Sequence, residues 1–176
     1  MKKTKLRIHT WPEKILRCRC REVKEVNEEI RSLLDEMHSL MLIKGGVGLA
    51  ANQAGIGLRL IVIETEDRLF KLVNPRIVKR TGKIYFKEGC LSFPGLELNI
   101  KRSHKAWVIA LDEKGEKLEL ETEGILAVVF QHEIDHINGT GFIERASLRE
   151  KIKAYPQLRK IIRRTKRELR KQRKKS

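Results

Sequence analysis

The chain has 176 residues, of which 40% are hydrophobic, so it is long enough for one domain that buries roughly two thirds of its unfolded surface. No stretch approaches the roughly 20 apolar residues of a membrane span, and no apolar signal segment follows the basic N-terminus. We therefore expect a cytoplasmic protein without a membrane partner. Of the net charge of +16, +12 falls in residues 149–176, where 14 lysines and arginines accompany two glutamates.

The first half of the chain predicts one helix and two strands. Residues 24–46 place apolar side chains at helical spacing and end in two glycines, which is typical of an amphipathic helix with a glycine stop. Its apolar positions are Val26, Ile30, Leu33, Leu34, Met37, Leu40 and Met41. Residues 58–65 and 69–78 predict strands around the turn-like sequence EDR.

The second half predicts a hairpin, a buried helix and a basic helix. Residues 104–124 predict a hairpin with the turn DEKG. Residues 123–139 are apolar on nearly every side at first, which favours a buried central helix. The sequence SLRE, residues 147–150, is a capping box that opens the basic helix, and we expect a bend or restart at Pro156. The predicted class is α+β: a buried central helix packed against antiparallel sheets, with a basic C-terminal helix.

The sequence QHEIDH, residues 131–136, contains the chemical motif HExxH. On a helix, His132 and His136 lie one turn apart, so both imidazoles can bind one ion. Glu133 lies about 100° around the helix axis, where it can accept a proton from a water that the ion has acidified. The alternative is two ordinary hydrogen-bonded histidines, since HExxH is short enough to occur by chance.

The residues that precede His132 favour a metal site. Ile125, Val128 and Val129 share its helical face and predict an apolar wall suited to an uncharged substrate side chain. Two imidazoles at the end of a buried apolar stripe need polar partners, which a metal ion supplies.

A catalytic ion usually has three protein ligands, so one more is needed. Cys90 lies in the irregular sequence EGCLSFPG, where a thiolate can face a cleft. Cys18 and Cys20 lie in an arginine-flanked stretch, and we expect them to be plain thiols near the surface. Glu144 is the acidic candidate downstream of the motif. Spacing favours Cys90 without deciding the matter.

The glycine-rich segment GGVGLAANQAG, residues 45–55, is a third candidate element. Its glycines let the backbone approach a ligand closely. It is a weak phosphate loop, because it contains neither GKS or GKT nor GxGxxG. Gln53 is a polar side chain in an apolar run, and its amide is either a structural bridge or a donor aimed at a ligand.

Together, these segments resemble the motifs of the peptide deformylases, the enzymes that remove the formyl group from the starting methionine of new bacterial chains. The segments GVGLAANQ (46–53), EGCLS (88–92) and QHEIDH (131–136) match the three family motifs in order and roughly in separation. The resemblance spans about residues 5–147. We therefore expect a catalytic domain over residues 1–148 and a basic helical extension over residues 149–176.

The resemblance implies roles for individual residues. The implied ligands of one divalent metal ion are Cys90, His132 and His136. The family's ion is typically ferrous iron, with zinc, nickel or cobalt as substitutes. Glu133 is the implied general acid and base, and the Gln53 amide and the Leu91 backbone N–H are the implied donors to the oxyanion. The expected substrate-binding residues are Val47, Gly48, Gly89, Ile125, Val128 and Val129.

The residues by themselves are also compatible with two other functions. One is an HExxH zinc metallopeptidase, which needs a third histidine or glutamate ligand downstream. The other is a catalytically inactive ribosome-binding or RNA-binding protein.

The chain differs from some deformylases at one position near the second motif. These deformylases carry an arginine near position 97 that contacts substrate, whereas this chain has Glu97 there, in the segment LELNIKR, which we expect to be a loop.

The basic C-terminal helix has two interpretations. Leu158, Ile162, Thr165 and Leu169 form a narrow apolar stripe, and lysine or arginine fills most other positions. The helix either docks by this stripe and uses its charge for solubility, or binds RNA by displacing phosphate counterions. Deformylases with such a helix use it on the ribosome surface, so the resemblance implies a ribosome partner. It also predicts that deletion after Arg159 preserves turnover of a short formyl peptide.

Overall fold

The computed structural model describes residues 6–174, so the first five residues and the last two of the predicted extension lie outside it. Its α-helices are α1 (Glu28–Ile43), α2 (Gly124–Ile137), α3 (Phe142–Arg145) and α4 (Leu148–Arg173). Its strands are β1 (Gly48–Ala50), β2 (Leu60–Glu64), β3 (Leu69–Thr81), β4 (Ile84–Gly89), β5 (Glu97–Arg102), β6 (Lys105–Leu111) and β7 (Lys117–Glu123). Within residues 6–174, none of the helices combines the length and apolar content needed to cross a membrane.

The strands form two antiparallel sheets, which confirms the predicted α+β class. The larger sheet has the order β1-β2-β3-β6-β7, and β4 and β5 form a separate pair. The two predicted strands correspond to β2 and β3, and the predicted hairpin corresponds to β6 and β7. These predictions are confirmed. They succeed because the apolar pattern of each strand is visible within its own segment of the chain.

The prediction that the segment LELNIKR forms a loop is wrong. This segment contains β5, whose inward-facing positions are Leu98, Ile100 and Arg102. The alternation is that of a strand, but the third inward position is an arginine instead of an apolar residue, which conceals the pattern. The correction matters for the site because β5 supports β4, and β4 leads directly to Cys90.

Helix α1 directly precedes the glycine-rich segment and determines where this segment enters the centre of the protein. The Asn27 side chain caps the helix by accepting a hydrogen bond from the Ile30 N–H at 3.1 Å. The buried face of α1, which includes Met37 and Met41, packs against β1 and β2. Gly45 follows with φ +66°, a left-handed conformation that favours glycine at the end of a helix. The predicted helix and its glycine stop are confirmed.

Helix α2 is enclosed by the rest of the protein. From Ala127 to Ile137, every residue except the half-buried Val129 is buried. Its apolar side chains share a core cluster with residues from β2, β3 and β6. The Gln131 side chain ties it to the turn between β5 and β6, since Nε2 donates to the Ser103 carbonyl at 2.8 Å and Oε1 accepts from the Ser103 N–H at 3.0 Å. The helix is thus held in one position by several elements.

Helix α4 packs only one face against the protein. Ser147 caps it by accepting a hydrogen bond from the Glu150 N–H at 3.3 Å. The helix continues through Pro156, so the predicted restart there is wrong. Pro156 is exposed, and water can satisfy the carbonyl that a proline leaves without a donor.

The buried face of α4 coincides only in part with the predicted stripe, which it shares at Thr165 and, by packing, at Leu158. Its buried residues are Ala154, Ile161 and Thr165. Thr165 Oγ1 also forms a 2.8 Å hydrogen bond with Thr10 Oγ1. The members of the predicted stripe that are only partly buried are Leu158, Ile162 and Leu169. The phase depends on the surface that the helix meets, here a cluster that includes Phe93, and this surface is built from distant parts of the chain.

Candidate metal centre

Helix α2 and the end of strand β4 bring together three side chains that could hold a metal ion. His132 and His136 lie one turn apart, with their Nε2 atoms 3.2 Å from each other. Cys90 directly follows β4, and its Sγ lies 3.2 Å from His136 Nε2. The three donor atoms lie within 4.8 Å of one another. Within residues 6–174, no other set of three or more histidine, cysteine or acidic side chains has this geometry.

Glu88 fixes the orientation of the His132 ring. Its Oε2 lies 2.7 Å from His132 Nδ1, so a charged Glu88 holds the hydrogen on Nδ1 and turns Nε2 toward the other donor atoms. Burial is the largest influence on the pKa of Glu88 and raises it, but hydrogen bonds from Arg102 and His132 outweigh burial and hold the pKa below its usual value. Glu88 is therefore charged although it is buried.

A buried ion-pair network extends from Glu88 to the far side of α2. Arg102 on β5 donates to both oxygens of Glu88, at 2.7 and 2.9 Å, and to Asp135. Arg145 on α3 donates to both oxygens of Asp135, at 2.9 and 2.6 Å. Sequence reasoning assigned no role to these four residues, because the side chains that they contact come from separate elements. The one local signal was the position of Glu88, two residues before Cys90.

Glu133 is a buried carboxyl group with an unused oxygen. Its Oε2 is buried and has no hydrogen-bond partner among the described residues. Burial raises the pKa of Glu133 to about 7, and a carboxyl group with a pKa near neutrality can both accept and release a proton. Gly48 makes room for it, since a Cβ added at Gly48 would lie 2.5 Å from Glu133 Oε1. Any larger residue at position 48 would therefore displace the Glu133 carboxylate.

The amide of Gln53 has a fixed orientation. Its Oε1 accepts a hydrogen bond from the Ala50 N–H at 2.9 Å, which assigns Nε2 as the donor on the other side. Nε2 lies 3.3 Å from Cys90 Sγ and 3.2 Å from Ser92 Oγ. Of the two interpretations left open by the sequence, the geometry contains both: a structural bridge to Ala50 and a donor directed at the candidate metal centre.

The candidate metal centre opens into a cavity of about 1170 Å³. The predicted substrate-binding and oxyanion residues that line it are Val47, Gly48, Gln53, Gly89, Leu91, Val128 and Val129. Ile125 is the exception: its side chain is 59% exposed and is not among the lining residues. It lies seven residues before His132, in the first turn of α2, where the helix has already reached the surface.

The other two cysteines and Glu144 lie outside the donor group. Cys18 is exposed, as expected, but Cys20 is buried in the core, so the expectation of a surface thiol is wrong for Cys20. The Cys20 N–H donates to the Ile137 carbonyl at 2.8 Å, which draws this residue against α2. Burial raises the pKa of the Cys20 thiol to about 11. Glu144 lies on the short helix α3 and is not part of the donor group.

The donor group fits a divalent metal ion. A thiolate and two imidazoles are ligands that zinc and other divalent transition metals accept. Burial lowers the pKa of His136 well below its usual value, so its imidazole is neutral and offers a lone pair. Two imidazole nitrogens face each other at 3.2 Å in a buried position, an arrangement that is costly unless a cation or a proton lies between them.

The fold and the site together define a metallohydrolase: a Cys/His/His donor set with a buried glutamate beside it, in a cavity of peptide size. Residues 5–152 match the family model of the polypeptide deformylases. The chain belongs to the polypeptide deformylase family.

Individual relatives agree with this assignment. A peptide deformylase of Symbiobacterium thermophilum is 43% identical over 145 residues, which cover 81% of this chain and 67% of the relative. One of Aquifex aeolicus is 43% identical and covers 77% of this chain and 83% of the relative. The crystal structure of a Legionella pneumophila peptide deformylase superimposes with a TM-score of 0.83 at 38% identity, over 92% of this chain and 97% of that one.

Proposed function

We propose that this protein removes the formyl group from the initiator methionine of new polypeptide chains and releases formate. The observation that carries the proposal is the buried, unpartnered Glu133 Oε2 beside the Cys90, His132 and His136 donor group. This group opens into a cavity with room for a peptide. Membership of the polypeptide deformylase family supports the same reaction.

We propose one divalent metal ion, Fe²⁺ in the native protein, with Zn²⁺, Ni²⁺ or Co²⁺ as substitutes. Cys90, His132 and His136 would hold it, and their mixed sulfur and nitrogen donors accept each of these ions. Once bound, such an ion lowers the pKa of water and polarises a carbonyl group.

Glu133 acts as general base and then as general acid. Its carboxylate takes a proton from the attacking water, whose oxygen forms a bond to the formyl carbon. The bond between the formyl carbon and the amide nitrogen then breaks, and Glu133 returns the proton to that nitrogen. The products are formate and a free amino terminus. A pKa of about 7 suits both transfers.

Gln53 and Leu91 stabilise the charge that develops on the formyl oxygen. Donors that are already aligned before the reaction cost no reorganisation in the transition state. The hydrogen bond from Ala50 supports this role for Gln53, because it holds the amide with Nε2 toward Cys90. The backbone N–H of Leu91 is the second donor.

Val128 and Val129 form the wall that receives the methionine side chain. Both line the cavity on the same side of α2 as His132. Val47 extends this apolar surface toward the entrance, where its side chain is 62% exposed. Gly48 and Gly89 line the cavity without side chains, so the substrate backbone can approach the protein closely.

The decisive assay compares two peptides that differ in the acyl group. Anaerobically prepared, iron-loaded protein is incubated with formyl-Met-Ala-Ser and with acetyl-Met-Ala-Ser, and free amine is measured. We expect release from the formyl peptide and at least 100-fold less from the acetyl peptide. No turnover in protein shown by metal analysis to be loaded would support the catalytically inactive binding protein. Cleavage of internal peptide bonds without formate release would support the zinc metallopeptidase.

We further propose that α4 places the enzyme on ribosomal RNA in the cytoplasm. Its outward face carries a group of exposed cations, namely Arg163, Lys166, Arg167, Arg170, Lys171, Arg173 and Lys174. Clustered cations gain affinity for a nucleic acid by releasing its counterions. Deletion after Arg159 is a poor test of this role, because it also removes Ile161 and Thr165 from the packed face.

Charge substitution gives a cleaner test of ribosome binding. The test variant replaces Arg163, Lys166, Arg167 and Arg170 with glutamine, and the matched control replaces Arg19, Lys24, Arg80 and Lys83. All eight side chains are exposed, and both variants lower the net charge by the same amount. We expect the α4 variant alone to lose co-sedimentation with ribosomes at low salt, with turnover of a short formyl peptide unchanged. Equal losses of ribosome binding in both variants would mean that the interaction depends on the net charge of the protein and not on the position of these cations in α4.

A further inference from the structure

The charges at the cavity entrance are nearly all paired. Arg7 contacts Glu13 at 2.6 Å. Glu97, at the position where some deformylases carry arginine, contacts Lys87 at 2.6 Å. On α4, Arg164 contacts Glu168 at 2.9 Å. Each of these three pairs places at least one member on the cavity wall and has no net charge.

Lys44 is the exception. It lines the cavity, is exposed, and makes no ion pair within the described residues. It lies at the C-terminal cap of α1, where Gly45 turns the chain toward the metal centre. Among the described residues that line this cavity, every other charged side chain outside the candidate metal centre and the neighbouring Glu88 and Glu133 belongs to an ion pair, so Lys44 alone is unpaired.

The short stretch of chain between Lys44 and Gly48 limits how far Lys44 can lie from the reacting atoms. Gly48, four residues further on, approaches Glu133. Four residues span at most about 13 Å, and an extended peptide advances about 3.3 Å per residue. A substrate that has its formyl group beside Glu133 and follows the cavity toward α1 therefore reaches Lys44 no later than about its third or fourth residue.

We propose that Lys44 selects substrates with an acidic side chain downstream of the formylated methionine. This inference rests on the proposed deformylase function and adds a specificity-determining residue to it. An aspartate or glutamate of the substrate would pair with the Lys44 ammonium group, which has no competing carboxylate in the structure. A lysine or arginine of the substrate would meet repulsion at the same place.

The expected size of the preference follows from the exposure of Lys44. Exposed ion pairs are weak, so the preference for an acidic over a neutral side chain should be about two- to fivefold in kcat/KM. Because the Debye length falls to about 3 Å at 1 M salt, the preference should largely disappear there. The effect should appear in KM more than in kcat, since the contact lies away from the reacting atoms.

The test uses metal-loaded, full-length protein and peptides in which one position is varied. The peptides are formyl-Met-Ala-X-Ala and formyl-Met-Ala-Ala-X with amidated C-termini, where X is Glu, Gln or Lys. Three proteins are compared: the unchanged protein, Lys44→Glu, and Lys83→Glu as the matched control. Lys83 is exposed in the turn between β3 and β4 and does not line the cavity, so the control has the same net charge as the Lys44 variant.

The unchanged protein should prefer Glu to Gln to Lys at one of the two positions. Lys44→Glu should reverse the order, and Lys83→Glu should preserve it. An order that is unaffected by Lys44→Glu, or altered equally by both variants, would overturn the proposal. Turnover of the glutamine peptides separates this result from the activity itself: if even these are not deformylated, the proposed function fails, and if they are deformylated without any charge preference, only the role of Lys44 fails.

Discussion

The second half of helix α2 and the whole of helix α4 are rich in polar and charged residues, but the two sets of side chains have opposite environments. In α2, the segment 131–136 is buried at every position. Its polar groups contact particular partners, for example Glu88 with His132 and Arg102 with Asp135. In α4, the cations of the outward face lie in solvent, and few of them have a partner of opposite charge.

This difference separates two ways in which charge serves a protein. A buried charge is stable only when its partners are fixed, so each residue of α2 depends on the geometry of several others. An exposed cation interacts weakly with its neighbours and contributes mainly through the number of charges on the surface. Single substitutions should therefore have large effects in α2 and small ones on the outward face of α4.

The largest expected effect of a charge substitution on stability is that of Asp135→Asn. This change removes a buried charge that faces both Arg102 and Arg145. Loss of one partner from a buried pair costs about 3–5 kcal/mol, and we expect the lower end because Arg102 keeps Glu88. Denaturant unfolding measures the change. Asp35→Asn is the matched control, because Asp35 pairs with Lys71 at the surface and should lose less than about 1 kcal/mol.

The next effect is catalytic. Glu133→Ala should retain the metal, because Glu133 is not a member of the donor group, and should lower turnover by about 10²-fold or more through loss of the general base. Metal analysis and the formyl peptide assay are made on the same sample. Metal lost together with activity would show that Glu133 is a ligand.

Local pattern explains which features the sequence could predict. The HExxH helix, the strands β2 and β3 and the glycine stop of α1 depend on neighbours in the chain, so their patterns are visible in short segments. Glu88, Arg102 and Asp135 are different, because their partners are 10 to 44 residues away and lie on other elements. The burial of Ala154 and Ile161 on α4 and that of Cys20 were missed for the same reason: each depends on a surface assembled by folding.

Substitution of the cysteines tests the third ligand. Cys90→Ser should weaken metal binding at least about tenfold, because a hydroxyl group is a poor replacement for a thiolate. Cys18→Ser should change neither metal content nor stability, since Cys18 is exposed. Cys20→Ser should also retain the metal, but it places a hydroxyl group in the core and should cost about 1–3 kcal/mol of stability. Metal loss in either of these two controls would contradict the ligand set.

Gly48→Ala tests how closely α2 depends on its surroundings. The new Cβ would meet Glu133 Oε1 at 2.5 Å, so the carboxylate must shift. We expect kcat to fall about tenfold with the metal retained, because a displaced base transfers protons less efficiently. Gly57→Ala is the matched control, since a Cβ there meets no atom within 4 Å. A normal kcat for Gly48→Ala would mean that Glu133 tolerates displacement.

The smallest effect is expected on the outward face of α4. Arg167→Gln and Arg170→Gln, made singly, should each change the free energy of unfolding by less than about 0.5 kcal/mol, because both side chains are exposed and form no ion pair within the described residues. Ile161→Ala, on the inward face of the same helix, should cost about 2–5 kcal/mol, because Ile161 is buried in the cluster around Phe93. Each value is the difference between one variant and the unchanged protein, measured by denaturant titration under the same conditions. A loss near 2 kcal/mol for either arginine would show that its charge is needed by the folded enzyme itself, and would weaken the assignment of this face to an external partner.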